Sequence, residues 1–294
     1  MNLNEYPLWT ALVTPMNDAS EVDYPALEKL AKLQADAKNG LLILGSTGES
    51  LNLDLDEKKK IIEFIISLKL AAPIMVGVGG ANLRNTSAWV DYLEDLKIDA
   101  YLMVTPLYAK PEPKGQYLWF KTLMDRVKRP VVLYNIPGRT GKALSLVALE
   151  QLKLHPNFWG IKEASGSPEE FSKFANTAPE AKIFSGDDAL LPSFKPLGCI
   201  GLISVSSNVW PKATHEYVRQ VLDGEFEDQE IWNECAGSLF CVSNPIPAKR
   251  LLKEKGLIDS AECRLPLSQS DLEDPAQILE ANKKIEQWYN KFNQ

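Results

Sequence analysis

Lys162 closes the apolar run Phe158-Trp159-Gly160-Ile161, which should aim its side chain into a covered pocket rather than into water. An ordinary lysine pKa near ~10.4 leaves only about one amine in a few thousand neutral at pH 7. Burial disfavours the ammonium and lowers that value, which is how a nucleophilic, imine-forming lysine is made. The alternative is a structural ion pair with Glu163 or Asp187. Residues 45–50, Gly-Ser-Thr-Gly-Glu-Ser, offer a second element of chemistry. The glycines let a ligand approach the backbone, and Ser46 and Thr47 add hydroxyls, a combination suited to holding a carboxylate. Many strand-to-helix turns are equally rich in glycine and serine for purely local reasons.

Tyr134 ends another apolar run, where it is either a proton donor or a buried phenol satisfied by a carbonyl. Arg139 follows in Pro137-Gly138-Arg139-Thr140-Gly141, placed to grip a carboxylate bidentately or to serve as an ordinary surface charge. Other chemistries lack their residues. The two histidines, His155 and His215, form no zinc-binding spacing and read as capping or surface groups, so no metal is expected. Gly40 and Gly45 have the spacing of a phosphate loop, but Ser46 stands where the lysine belongs. Gly77-x-Gly79 lacks the third glycine of a dinucleotide fingerprint, and no G-x-S-x-G elbow occurs. Cys199, Cys235, Cys241 and Cys263 contain no C-x-x-C pair and read as isolated buried thiols. A net charge of −7 without a basic cluster argues against a nucleic-acid partner. The first basic residue is Lys29 and no apolar run approaches about 18 residues, so neither a signal peptide nor a membrane span is expected. A cytoplasmic location follows as an expectation.

Eight short apolar runs must position these groups: residues 8–13, 41–44, 74–78, 100–104, 131–134, 158–162, 181–185 and 199–205. They are nearly continuous rather than alternating, as strands covered on both faces are, and helical patterns separate them. This predicts an α/β fold, a (β/α)8 TIM barrel over residues 1–224, with catalytic groups at the C-terminal strand ends. Asp23, Asp56 and Thr86 read as helix starts, before inward stripes at Leu27, Leu30 and Ala31, then Ile61, Ile62, Ile65 and Leu68, then Trp89, Leu93 and Leu96. Beyond Gly224 only helical patterns remain, at 231–240, 246–255 and 275–291, predicting a C-terminal helical domain over 225–294.

The segments VTPM, GSTGES, VTPLY, YNIPGRTG, GIKEASG, SGDDALL, GLISVSSNV and NPIPAK stand in order over residues 11–249, and RLPL follows at 264–267. Together they resemble the dihydrodipicolinate synthase / N-acetylneuraminate lyase family. The resemblance implies that Lys162 forms a Schiff base with pyruvate and that Ser46 and Thr47 hold the pyruvate carboxylate, Ser46 also taking a proton-relay position. It implies that Tyr134 carries protons to and from the imine and that Tyr108 reaches across a tight dimer into the neighbour's relay. Arg139 would receive the carboxylate of the second substrate, and the backbone at Gly186 and Ile203 would line the pyruvate pocket.

The implied reaction is condensation of pyruvate with L-aspartate-4-semialdehyde to 4-hydroxy-tetrahydrodipicolinate, the first committed step of lysine and diaminopimelate biosynthesis. It needs no metal or coenzyme, and the implied assembly is a homotetramer of two tight dimers. Lyases of N-acetylneuraminate or 2-keto-3-deoxy sugar acids would share Lys162 and Tyr134 but generally lack Arg139. A catalytically silent barrel used as a binding module is disfavoured, because every reacting position keeps its functional group. Two departures stand out: Ser46 replaces the usual threonine, losing the β-branch that restricts χ1, and Leu107 replaces a tyrosine beside the expected lysine-effector site.

Overall fold

The structure, a computed structural model, describes residues 1–292. Eight parallel strands close into a barrel: β1 (Leu8–Ala11), β2 (Gly40–Ile43), β3 (Ile74–Val78), β4 (Ala100–Val104), β5 (Val131–Asn135), β6 (Phe158–Glu163), β7 (Lys182–Ser185) and β8 (Gly201–Ser204). The expected barrel is therefore present, and its strands carry apolar residues on both faces for a visible reason. Leu41, Ile43, Val76, Leu133, Ile161 and Leu202 point out beneath the helices. Their neighbours Leu42, Met75, Val132, Phe184 and Ile203 fill the interior with Trp9 and Tyr134. Successive side chains of a strand face opposite ways, so each strand contributes to both layers.

Side-chain caps set several helix starts, and two differ from the sequence expectation. Helix Tyr24–Asp36 begins as expected, with Asp23 accepting from the Ala26 N–H. Helix Leu55–Ser67 starts at Asp54 rather than Asp56, because Glu57 reaches back to accept the Asp54 N–H at 2.9 Å. Helix Leu83–Glu94 starts at Asn82, whose side chain accepts the Asn85 N–H; Thr86 lies inside it and donates to the Asn82 carbonyl at 2.9 Å. Ile61, Ile62, Ile65, Trp89 and Leu93 are buried in the core. The last barrel helix, Pro211–Asp223, ends at Gly224 in the left-handed conformation.

Three helices follow, Gln229–Ser238, Ile246–Glu254 and Ala276–Asn290. The first and last of them attach through an aromatic cluster: Tyr217 stacks on Trp232 at 4.0 Å between centroids, and Trp288 meets Trp232 edge-on at 5.3 Å. Burying side chains of this size contributes on the order of 1.5–3 kcal/mol each. Cys199, Cys235 and Cys263 are buried thiols, but Cys241 is exposed, correcting the expectation that all four are covered. Cys241 falls just beyond helix Gln229–Ser238, where the chain turns across the surface.

Candidate active site

Lys162 lies on β6 directly beside Tyr134 on β5, the two being register partners with side chains on the same face. Strand alternation sends Glu163 the other way, and there its carboxylate accepts from Asn135 Nδ2 at 2.6 Å and from the Ser165 N–H at 2.7 Å. An ion pair between Lys162 and Glu163 is thereby excluded. Lys162 is 5% exposed, with Nζ 4.6 Å from the centroid of the Tyr134 ring. Burial lowers its pKa to about 8, against the opposing pull of Asp188 and Asp187 and with a smaller push from Arg139. At that value about one amine in ten is neutral at pH 7, several hundred times the ordinary fraction. Asp187 acts on Lys162 only through space. Burial raises the Asp187 carboxyl to about 6.

Gly186 makes room for the lysine. A Cβ there would stand 2.9 Å from Lys162 Cε and 2.6 Å from Ala164 Cβ, so any side chain would push the amine aside. Beneath it, Asp188 is buried and held by Ser204 Oγ and by the N–H groups of Val205 (3.0 Å) and Ser206 (3.2 Å), which ties β7 to β8. Ile203 is fully buried in the interior layer with Tyr134 and Phe184.

A cavity of about 570 Å³ opens above these groups, walled by Ser46, Val78, Leu107, Tyr108, Tyr134 and Arg139 among others. Burial raises the Tyr134 phenol above its ordinary pKa, opposed by Arg139 and by a hydrogen bond with Ser46. The phenol is thus kept protonated, able to donate. Arg139 belongs to the one-turn helix Pro137–Thr140 and points Nη2 at the Asn244 carbonyl, 3.5 Å away. Tyr108 stands at the rim, 94% exposed, with φ 62°. The structure therefore gathers Ser46, Tyr108, Tyr134 and Arg139 around one cavity. Lys162, Thr47, Gly186 and Ile203 are not among its wall residues; Lys162 stands behind the Tyr134 ring.

Loop 45–50 is built as a tight turn. The Glu49 N–H donates to the Ser46 carbonyl at 3.1 Å, the Ser50 N–H to the Gly45 carbonyl at 3.3 Å, and Thr14 Oγ1 to the Gly48 carbonyl at 2.8 Å. Glu49 adopts φ 53°, a left-handed conformation that costs a residue with a side chain on the order of 1–3 kcal/mol. Its carboxylate is fully buried against the Lys249 ammonium and also accepts the Arg264 N–H at 2.9 Å. Asn244 Nδ2 donates to Thr47 Oγ1 at 3.0 Å. Sequence reasoning assigned no role to Asn244, Lys249, Glu49 or Asp188, although each lies in or beside the quoted segments. Among the described residues, no group of three or more His, Cys, Asp or Glu is arranged to hold a metal ion. His155 bridges Asp125 (3.2 Å) and the Asn157 N–H (3.1 Å), a capping arrangement, and His215 pairs with Asn39 at 2.9 Å.

The model of the dihydrodipicolinate synthetase family matches residues 6–285. A 4-hydroxy-tetrahydrodipicolinate synthase of Wolbachia pipientis subsp. Culex pipiens is 44% identical over 287 residues, covering 97% of this chain and 98% of that one. One from Francisella tularensis subsp. novicida is 44% identical over 285 residues, covering 96% and 97%. Among solved structures, the dihydrodipicolinate synthase of Acinetobacter baumannii, crystallised with pyruvate, superimposes with a TM-score of 0.88 at 33% identity, covering 95% of this chain and 98% of that one.

Proposed function

The chain belongs to the dihydrodipicolinate synthetase family, and we infer that it condenses pyruvate with L-aspartate-4-semialdehyde to 4-hydroxy-tetrahydrodipicolinate, the entry to lysine and diaminopimelate biosynthesis. The observation that carries this reading is Lys162, buried on β6 against the Tyr134 ring with its pKa lowered to about 8. The neutral amine attacks the ketone carbon of pyruvate, and loss of water leaves an imine. The imine accepts electron density when a methyl proton departs, so the enamine forms without metal or coenzyme. The enamine carbon attacks the aldehyde, the amine of the semialdehyde closes onto the former keto carbon, and Lys162 is expelled.

The residue roles are those the family resemblance implies, and position supports those of Ser46, Tyr134 and Arg139. Tyr134, kept protonated by burial, passes protons to the carbinolamine and the aldehyde oxygen, with Ser46 beside it in the relay. Ser46 and Thr47 take the pyruvate carboxylate, while the backbone at Gly186 and Ile203 bounds the pyruvate pocket. Arg139 at the cavity wall takes the carboxylate of the semialdehyde, a second anionic subsite that a neutral sugar tail would not use. Tyr108 completes the relay of a neighbouring subunit, and a homotetramer of two tight dimers is the proposed assembly. Its 94% exposure supports that role, since a phenol at an active-site rim needs a cover. Residues 225–294 form the proposed helical domain. Among the described residues no helix is long and apolar enough to cross a membrane, and a cytoplasmic location is proposed.

Borohydride reduction in the presence of pyruvate tests the reading. A stable mass increment on the peptide containing Lys162 is expected; reduction without that increment rejects the Schiff-base mechanism.

A further inference from the structure

We propose that Glu49 and Lys249 are a positioning pair that fixes Ser46 and Thr47 for the carboxylate of pyruvate, a proposal that rests on reading loop 45–50 as the pyruvate-carboxylate site. Both side chains are completely buried, and neither walls the cavity, so they act through the loop rather than on substrate. The Glu49 N–H closes the turn onto the Ser46 carbonyl at 3.1 Å, so the backbone of Glu49 and the orientation of Ser46 are one geometric unit. At φ 53° that backbone would relax toward negative φ if the side chain were free. It is not free. The carboxylate is caught between the Lys249 ammonium and the Arg264 N–H, and Lys249 is itself anchored by the Glu262 carbonyl at 2.7 Å. Asn244, in the same segment as Lys249, holds the loop a second time at Thr47.

A purely stabilising role makes a different forecast. Replacing a buried ion pair by neutral groups of similar volume is often harmless or stabilising, whereas removing one partner strands the other. The double variant Glu49→Gln/Lys249→Met keeps the volume and an acceptor for the Arg264 N–H but loses the charge-assisted grip. If the pair serves stability alone, this variant behaves like the parent. If it positions the loop, the variant folds with an undiminished melting temperature yet binds pyruvate poorly.

The experiment measures, for parent and double variant, the melting temperature, KM for each substrate, and the pyruvate concentration giving half-maximal borohydride trapping. A rise of about tenfold in pyruvate KM and half-trapping concentration is expected, the size of one charge-assisted hydrogen bond misplaced, with the semialdehyde KM within about twofold. A folded double variant with parental pyruvate KM and trapping overturns the proposal. Should it fail to fold, Lys249→Arg decides: a selective rise in pyruvate KM supports positioning, and equal change in both substrates, or none, overturns it. Absence of trapping at Lys162 in the parent would instead overturn the reading on which the proposal rests.

Discussion

Loop 45–50 and segment 105–110 border the same cavity, and both hold residues with positive φ, yet they are supported in different ways. Glu49 at φ 53° is held by two contacts, one fully buried, from chain some 200 residues away. Among the described residues, Tyr108 at φ 62° and Lys110 at φ 46° have no comparable support; the segment leans on backbone contacts such as the Leu107 N–H to the Gly80 carbonyl at 3.4 Å. Strained backbone persists when its surroundings over-determine it. Loop 45–50 meets that condition within one chain. The rim side leaves an almost fully exposed tyrosine, which fits a segment completed by another subunit.

The largest expected effect breaks the self-contained side. Lys162→Met should abolish both trapping and turnover. It should also stabilise the fold, because a lysine held at about 8 instead of its ordinary 10.5 costs about 3 kcal/mol at neutral pH. The sign follows from linkage: the folded pKa is depressed, so the penalty is complete below pH 8 and fades as pH rises from 8 toward 10.5. A rise of several degrees in the melting temperature at pH 7, shrinking above pH 9, is the outcome to look for. Imine formation in the parent should slow roughly tenfold per pH unit below 8, as the neutral amine is titrated away. A variant that melts lower than the parent at pH 7 would contradict the burial cost.

The second effect tests the rim. A proton donor in a relay contributes on the order of 10²–10⁴ in rate, and Tyr108→Phe should lose that much. Mixing Tyr108→Phe with Lys162→Ala subunits should restore partial activity, since one hybrid site then has both groups intact. No recovery after verified subunit exchange would place Tyr108 in its own chain's site and remove the contrast between the two sides. Smaller still is Arg139→Ala. Losing a guanidinium–carboxylate pair worth about 1.5–3 kcal/mol should raise the semialdehyde KM by roughly tenfold or more while sparing trapping by pyruvate. Equal damage to both substrates would point to its contact with the Asn244 carbonyl and a structural role.

The self-contained side was also the more legible in sequence, but only in part. Lys162 could be found because a lysine closing a continuous apolar run is anomalous, and strands covered on both faces made the barrel readable. The support behind loop 45–50 could not be read. Asn244–Thr47 and Lys249–Glu49 join residues 197 and 200 positions apart, and neither lysine nor glutamate normally signals complete burial. Helix starts were missed for a local reason: Asp54, Asp56 and Glu57 offer similar side chains within one turn, and which of them caps depends on which reaches back.

The smallest effect expected is the absence of one: free lysine should inhibit weakly or not at all. For lysine-regulated members the family resemblance implies an effector site at the tight-dimer interface, beside a tyrosine pair, where a glutamate and neutral polar groups, histidines and an asparagine among them, meet the ammonium groups. The positions that the resemblance matches to these read Asn85, Leu55 and Lys58, Ala81, and Leu107 in place of the first tyrosine. Leu55 is half-exposed and apolar, so it offers an ammonium group nothing. Burial already lowers the Lys58 pKa, meaning its own charge is disfavoured where it sits, and a ligand ammonium beside it would add to that cost. Loss of the carboxylate removes a charge-assisted hydrogen bond of about 1.5–3 kcal/mol. That matches the whole coupling of about 1–3 kcal/mol by which an allosteric effector commonly acts. An initial-rate titration with lysine at fixed substrates should therefore stay flat. Strong inhibition would mean that a carboxylate of the partner subunit reaches this surface, and the rim side would then be both completed and regulated across the interface.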